Sequence, residues 1–464
     1  MFLGNEASSR RYRRCAGPVA AAAAFLALAA PQSASAADSI ADRVEFHMYG
    51  RIGMSWNFNG VLVEGKRMNL VGRAFGGRFE EGDYLEPTIT THIVKPENKE
   101  KDTYIDFVIT PSMFVRNGSF IGSMSNNTGT TLGIELFQAY LEAGNVFVPG
   151  LKFWGGARFY RGVDVHIADN FYYNNLSGQG GGIMYKNLEL AALIQTGATD
   201  LLYAFDTNND KTPDVQRART VFTAQYALPL PILHEGTKLQ FLAEVHVNPE
   251  VHKVRQPNIA PTDSGGVAGA KLTLDFGNGN FNQTSIRYGG GIANGTQSYN
   301  AQTWYTFGLP DPKSGRYTGA YGIELVEHFL VNFGKIATLN GYGMFHTSQG
   351  GDDRVTPENT VLDFATGARV ALYAHKQYHL ISELTYQGRK DGNDPWGTLV
   401  KATVAPTVVP TGEKSYWARP HMRLIYTAGF YNDQAAKKSM SQYQQTVGPT
   451  KFAHYIGARS EWWF

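Results

Sequence analysis

Along most of the chain, apolar and polar residues alternate with a period of two, in runs of about 8–11 residues. Each run ends in a break rich in Gly, Asn, Asp or Pro. In FHMYGRIGMSW (46–56), Phe46, Met48, Ile52, Met54 and Trp56 fall on one face, and His47, Tyr49, Arg51 and Ser55 on the other. That is the pattern of a strand whose two faces meet different surroundings. The segments at 151–160, 269–277, 321–331, 378–388 and 422–430 repeat it with varying clarity. Roughly sixteen to eighteen such runs can be counted, few with helical periodicity. The breaks are of two kinds: short turns at 234–237 and 276–281, and long polar stretches at 117–133, 205–217, 251–266, 349–360, 388–398 and 431–450. Tight turns alternating with long loops predict an all-β transmembrane barrel, with short periplasmic turns and extended external loops. No run of about 18 apolar residues follows the N-terminal segment, so no transmembrane helix is expected.

The N-terminal segment breaks the pattern. Arg10, Arg11, Arg13 and Arg14 precede the apolar run GPVAAAAAFLALAA at 17–30, and Ala34 and Ala36 fit a small-residue cleavage site before Ala37. Residues 1–36 therefore read as a secretory signal peptide and 37–464 as the exported barrel. Its removal would take away Cys15, the single cysteine, leaving a composition suited to an oxidising compartment. Composition agrees. Charged residues are 18%, below the roughly 25% of a typical soluble domain, while Gly (51) and aromatics (13%) are in surplus. A formal net charge of +2 gives no sign of a nucleic-acid partner. A mean hydropathy of −0.28 argues against a helical membrane protein.

A secreted β-sandwich, β-helix or propeller is the soluble alternative, but no fixed repeat of about 20–50 residues supports the last two. The final strand weighs against all three. In FAHYIGARSEWWF (452–464), Ile456, Ala458, Ser460, Trp462 and Phe464 share one face, and Gly457, Arg459, Glu461 and Trp463 the other. An apolar face ending in aromatics opposite a charged face fits a boundary between lipid and a wet lumen. A barrel of some sixteen or more strands encloses an aqueous channel. Into that lumen the alternation points aromatics beside charges: Tyr49 with Arg51, Tyr84 with Glu86, and Trp463 with Glu461 and Arg459. A wet aromatic face is unfavourable unless something stacks on it. Sugars suit such a lining, since their C–H faces stack while their hydroxyls reach charged groups.

Several stretches resemble the maltoporin family of sugar-specific outer-membrane channels: VEFHMYGRIGMSW (44–56), GRFEEGDYLE (77–86), GGARFYRGVDVHIADNFYYNNLSGQGGGI (155–183), SYWARPHMRLIYTAGF (415–430) and GARSEWWF (457–464). The resemblance implies a homotrimer of 18-stranded antiparallel barrels. Each pore would be narrowed by an inward-folded constriction loop and lined by a spiral of aromatics flanked by a polar track. Position by position, Tyr49, Tyr84, Trp417 and Trp463 match aromatics of that slide. Arg51, Arg78, Glu86, Asp169 and Tyr172 match its polar track. Arg161 is a candidate displaced by one place, since the family's loop arginine falls on Gly162, and another track arginine is replaced by Phe137. The region 117–133 lacks the tryptophan that reaches a neighbouring subunit's pore. The resemblance implies facilitated diffusion of neutral oligosaccharides such as maltodextrins, with outer-membrane lipid around the barrel and no cofactor. A non-specific diffusion porin is the alternative.

Other chemistry finds little support. DTNNDKTPD (206–214) has the first spacings of a calcium loop, Asp206, Asn208 and Asp210, but Lys211 replaces its glycine and Arg217 its final glutamate, so it reads as a solvated turn. DVHIAD (164–169) holds one histidine among carboxylates, a weak metal pattern. HExxH, GxSxG and P-loop motifs are absent, and no enzyme is expected.

Overall fold

The alternating runs form 18 antiparallel strands in one closed sheet. The computed structural model describes residues 40–72, 75–115, 120, 132–196, 204–205, 215–253, 256–295, 305–355 and 358–464. Among them, no helix is long and apolar enough to cross a membrane. The strands are β1 (Val44–Trp56), β2 (Tyr84–Val94), β3 (Tyr104–Val115), β4 (Leu132–Gly144), β5 (Leu151–Arg158), β6 (Gly178–Tyr185) and β7 (Leu188–Thr196). They continue with β8 (Ala218–Pro229), β9 (Lys238–Asn248), β10 (Asp263–Gly277), β11 (Asn280–Gly291), β12 (Tyr321–Phe333) and β13 (Ala337–Gln349). The last are β14 (Thr360–His375), β15 (Tyr378–Asp391), β16 (Gly397–Val408), β17 (His421–Tyr431) and β18 (Phe452–Trp463). Each pairs with its sequence neighbours, and β1 closes the ring by pairing with β18, Tyr49 opposite Trp463 and Trp56 opposite Ile456. Closure leaves no open sheet edge, which a lipid environment requires.

The faces follow the predicted parity. Ile52, Met54, Trp56, Leu384 and Leu424 are exposed on the outside, while Arg459 and Glu461 are buried within. So much exposed aliphatic and aromatic surface suits hydrocarbon, not water. At the tight β10–β11 turn, Asn278 and Gly279 take φ 53° and 74°, the left-handed pair that a two-residue hairpin favours. The stretch 431–450, read from sequence as a polar loop, holds two short helices, α1 (Asp433–Lys437) and α2 (Gln442–Val447). Asn432 caps the first, and Ser441 with Gln444 forms a capping box on the second.

Among the described residues, two connections fold inward. The β5–β6 connection, 159–177, is the expected constriction loop: Val165, Ile167 and Tyr172 bury against Val267, Val326 and Met344 of the wall. The β1–β2 connection, 57–83, also enters the barrel, a feature the sequence reading did not anticipate. Val63, Met68, Leu70 and Phe79 pack with Leu399, Tyr431 and Tyr455. Polar ties hold it as well, with Gln387 Nε2 donating to Asn69 Oδ1 at 3.0 Å and Lys401 Nζ 2.9 Å from Glu80. The segment 206–214 and most of 117–133 lie outside the described residues. A single 3-10 turn, Ile40–Arg43, is described ahead of β1.

Candidate functional site

Cross-strand register builds the site. In β1, Tyr49 lies opposite Glu86 of β2 and Trp463 of β18, and Arg51 lies opposite Tyr84 and Glu461. Directly opposed residues project to the same face, so the two-residue repeat of β1 gathers side chains from three strands. The rings form a continuous lane. Trp463 and Tyr49 have centroids 6.4 Å apart, Tyr49 and Tyr84 5.9 Å, Tyr84 and Phe137 6.4 Å, and Phe137 and Phe159 5.7 Å. Beyond Phe159, the Arg161 guanidinium sits 3.9 Å from that ring and 3.8 Å from Phe171. At the opposite end, His166 of the constriction loop stands 6.0 Å from Trp463 and 5.2 Å from Trp417. Trp417 lies in the β16–β17 connection and is 44% exposed, a ring at the mouth.

Phe137 enters the lane through a bulge. Register shifts between Thr110 and Pro111, which pair with Gln138 and Leu136, so Phe137 is the extra residue on β4. Leu136 and Leu141 both face outward although they are five positions apart, an odd offset that a regular strand would send to opposite faces. A bulge permits that, and it turns Phe137 inward.

The polar side is organised by Glu81, a residue the sequence reading did not single out. Its carboxylate lies 2.8 Å from Arg67, 2.8 Å from Arg78 and 3.0 Å from Arg51. Burial disfavours its charge, but Arg51, Arg78 and Arg67 together outweigh that and hold the carboxyl well below the usual range. Arg51 and Arg78 each donate to the Tyr49 hydroxyl at 3.1 Å. Arg78 lies 3.4 Å from Asp169, linking the two inward loops. Tyr84 donates its hydroxyl proton to Glu86.

Nine of the ten predicted positions thus lie along the lane, its flank or its mouth. Tyr172 does not. It is fully buried, donates its hydroxyl to Gln283, and stands edge-on to His328 at 6.2 Å. There it fastens the constriction loop to the far wall. Tyr172→Ala is expected to remove about 3 kcal/mol of local packing and raise open-channel noise in bilayer recordings. Unchanged noise would show that the loop is held by its other contacts. Among the described residues, no group of three or more His, Cys, Asp or Glu is placed to hold a metal ion.

The sequence profile of the LamB porin family matches residues 44–464. Maltoporin 2 of Yersinia pestis (strain Pestoides F) is 31% identical over 149 residues, a match spanning 31% of this chain and 32% of that protein. Maltoporin 1 of Klebsiella pneumoniae is 28% identical over 192 residues, spanning 40% of this chain and 42% of the relative. The chain thus aligns with well under half the length of these relatives. The crystal structure of Acinetobacter baumannii OccAB1 superposes with a TM-score of 0.44 at 9% identity, covering 91% of this chain and 96% of that one. With the family profile spanning the whole barrel, the protein is an outer-membrane porin channel of a Gram-negative bacterium and belongs to the LamB porin family.

Proposed function

We propose that this porin is a sugar channel through which oligosaccharides, maltodextrins among them, diffuse along the aromatic lane while exchanging hydrogen bonds with its flank. The observation that carries the reading is the unbroken run Trp463–Tyr49–Tyr84–Phe137–Phe159, each ring within 6.4 Å of the next. A sugar ring leaving one aromatic meets the next before it rehydrates, so each step along the pore is shallow. Arg51, Arg78, Glu86 and Asp169 flank the rings and replace shed water with charge-assisted hydrogen bonds. Trp417 receives or releases the sugar at the mouth, and Arg161 extends the polar edge beyond Phe159. Conduction needs binding strong enough to enter and weak enough to leave, so affinity should be modest. The reading includes removal of residues 1–36 on export and assembly as a homotrimer in outer-membrane lipid.

Titrating maltodextrin against single-channel ion current tests it: saturable block at millimolar sugar is the expected result. Conductance without saturable block would instead make this a general diffusion porin. Trp463→Ala should weaken the block by a few-fold to about tenfold. An unchanged block would remove Trp463 from the path.

A further inference from the structure

Where Trp463 and the constriction loop meet, a small polar cavity is lined by arginines from three directions: Arg51 and Arg78, Arg369, and the group Arg419, Arg423 and Arg459. Most of these guanidiniums have a carboxylate of their own. Arg369 lies 2.7 Å from Glu383, Arg459 pairs with Glu64, and the Arg51–Arg78 side has Glu81 and Asp169. Asp164 stands on that same side, 3.6 Å from His166.

Arg419 and Arg423 differ. Both lie against one carboxylate, Glu461, with Arg419 at 3.3 Å and Arg423 in direct contact, and His421 at 3.4 Å also turns to it. Two cations therefore share one anion and one positive charge is left over. The Nε–H groups of Arg419, Arg423 and Arg459 have no acceptor, although those side chains are only 5%, 6% and 2% exposed. A buried donor without an acceptor is unfavourable, and three of them line the same cavity. Cations also stand against the aromatic rings here. Arg419 stacks on Trp463 at 3.9 Å, and Arg369 and Arg423 stand 4.7 and 4.9 Å from Phe79. At this point the lining offers a solute charge and N–H donors beside the start of the aromatic lane.

We infer that this cavity binds the carboxylate of an acidic saccharide, so that the pore takes a sugar carrying one negative charge more tightly than its neutral counterpart. The inference rests on the sugar-channel reading and narrows its substrate class. One carboxylate matches the single unbalanced charge, and its two oxygens offer lone pairs to the unpaired Nε–H donors while the rest of the saccharide lies on the lane.

The test compares two trisaccharides with the same opened terminus, maltotriitol (neutral) and maltotrionate (one carboxylate), as blockers of single-channel current. Maltotrionate should reach half-block at about one-tenth the concentration of maltotriitol. In Arg423→Gln that ratio should fall to near one, while Arg423→Lys, which keeps the charge, should retain most of it. Equal block by the two sugars in the wild-type channel overturns the anion site and leaves the sugar channel standing. Absence of block by either overturns both. A tenfold ratio surviving in Arg423→Gln overturns the placement. Inorganic phosphate alone blocking at the maltotrionate concentration would assign the cavity to free anions and overturn the saccharide assignment.

Discussion

Glu81→Ala should destabilise the folded channel by about 3 kcal/mol and turn a steady open current into a noisy one. One carboxylate holds Arg51, Arg67 and Arg78 within 3.0 Å, and its own side chain is 2% exposed. Removing one partner of a buried ion cluster typically costs about 3–5 kcal/mol, because the stranded charges keep their desolvation penalty. The arginines remain 13–22% exposed and regain some water, which places the effect at the low end. Freed guanidiniums beside Tyr49 would then fluctuate in the lumen. Urea midpoints and bilayer recordings measure the two effects, and a wild-type midpoint would show that the arginines do not depend on Glu81. The pH behaviour follows from the same cluster. The folded-state pKa of Glu81 is depressed below its unfolded value, near the ordinary carboxylate value of about 4.3. Its contribution is therefore fully present above the ordinary range and is lost only as pH falls toward the depressed value. Burial holds the neighbouring Asp169 carboxyl above the usual range, so the test is made in Asp169→Asn: its open-channel noise should stay unchanged as pH is lowered from 7 to about 4, and noise rising near pH 5 in that variant would contradict the assignment.

Leu384→Arg should nearly abolish insertion into lipid vesicles. Leu384 lies mid-strand in β15, is 58% exposed, and is flanked across the sheet by Ala368 and Ala402. In water such a site would tolerate arginine within a few tenths of a kcal/mol. Against the hydrocarbon midplane, arginine costs about 2–4 kcal/mol. Leu384→Ala, which adds no charge, should insert normally. Folded fractions read from the mobility of unheated samples on gels separate the cases. Equal insertion of the two variants would mean that this face does not meet lipid.

How far the sequence reveals this molecule depends on the range of the interaction. Strand parity is local, so the faces of β1 and β18 and the inward turn of Tyr49, Arg51 and Trp463 are legible residue by residue. The strand number is less so, since each run carries a weak signal and 18 came from family resemblance. Phe137 shows how a local rule fails. One unpaired residue between Leu136 and Gln138 reverses the alternation, and the clue, Leu136 and Leu141 both apolar at odd spacing, is easily lost in a run of apolar residues. Ser441 and Gln444 carried a legible capping box, but polar composition disguised the helix it starts. Glu81 and the inward course of 57–83 were out of reach for a different reason. The partners of that course, Gln387, Lys401 and Arg459, lie on distant strands, and Glu81 gathers Arg51, Arg67 and Arg78 only because the segment folds back over β1, a meeting that no spacing in the chain reports. Tyr172 matched a family position by its neighbours in sequence, while its surroundings were set by the wall on which the loop lands.

The contact between Arg78 and Asp169 has a bearing on how such a pore can change. It joins two connecting segments, not two strands, so the aperture is a seam between independently anchored pieces set inside a rigid collar. Strand register need not shift for the opening to be reshaped. An insertion or exchange in either segment would alter the gap while the hydrogen-bonded wall stayed intact. Barrel and filter can therefore diverge at different rates, the wall answering to lipid and the seam to whatever solute is worth admitting.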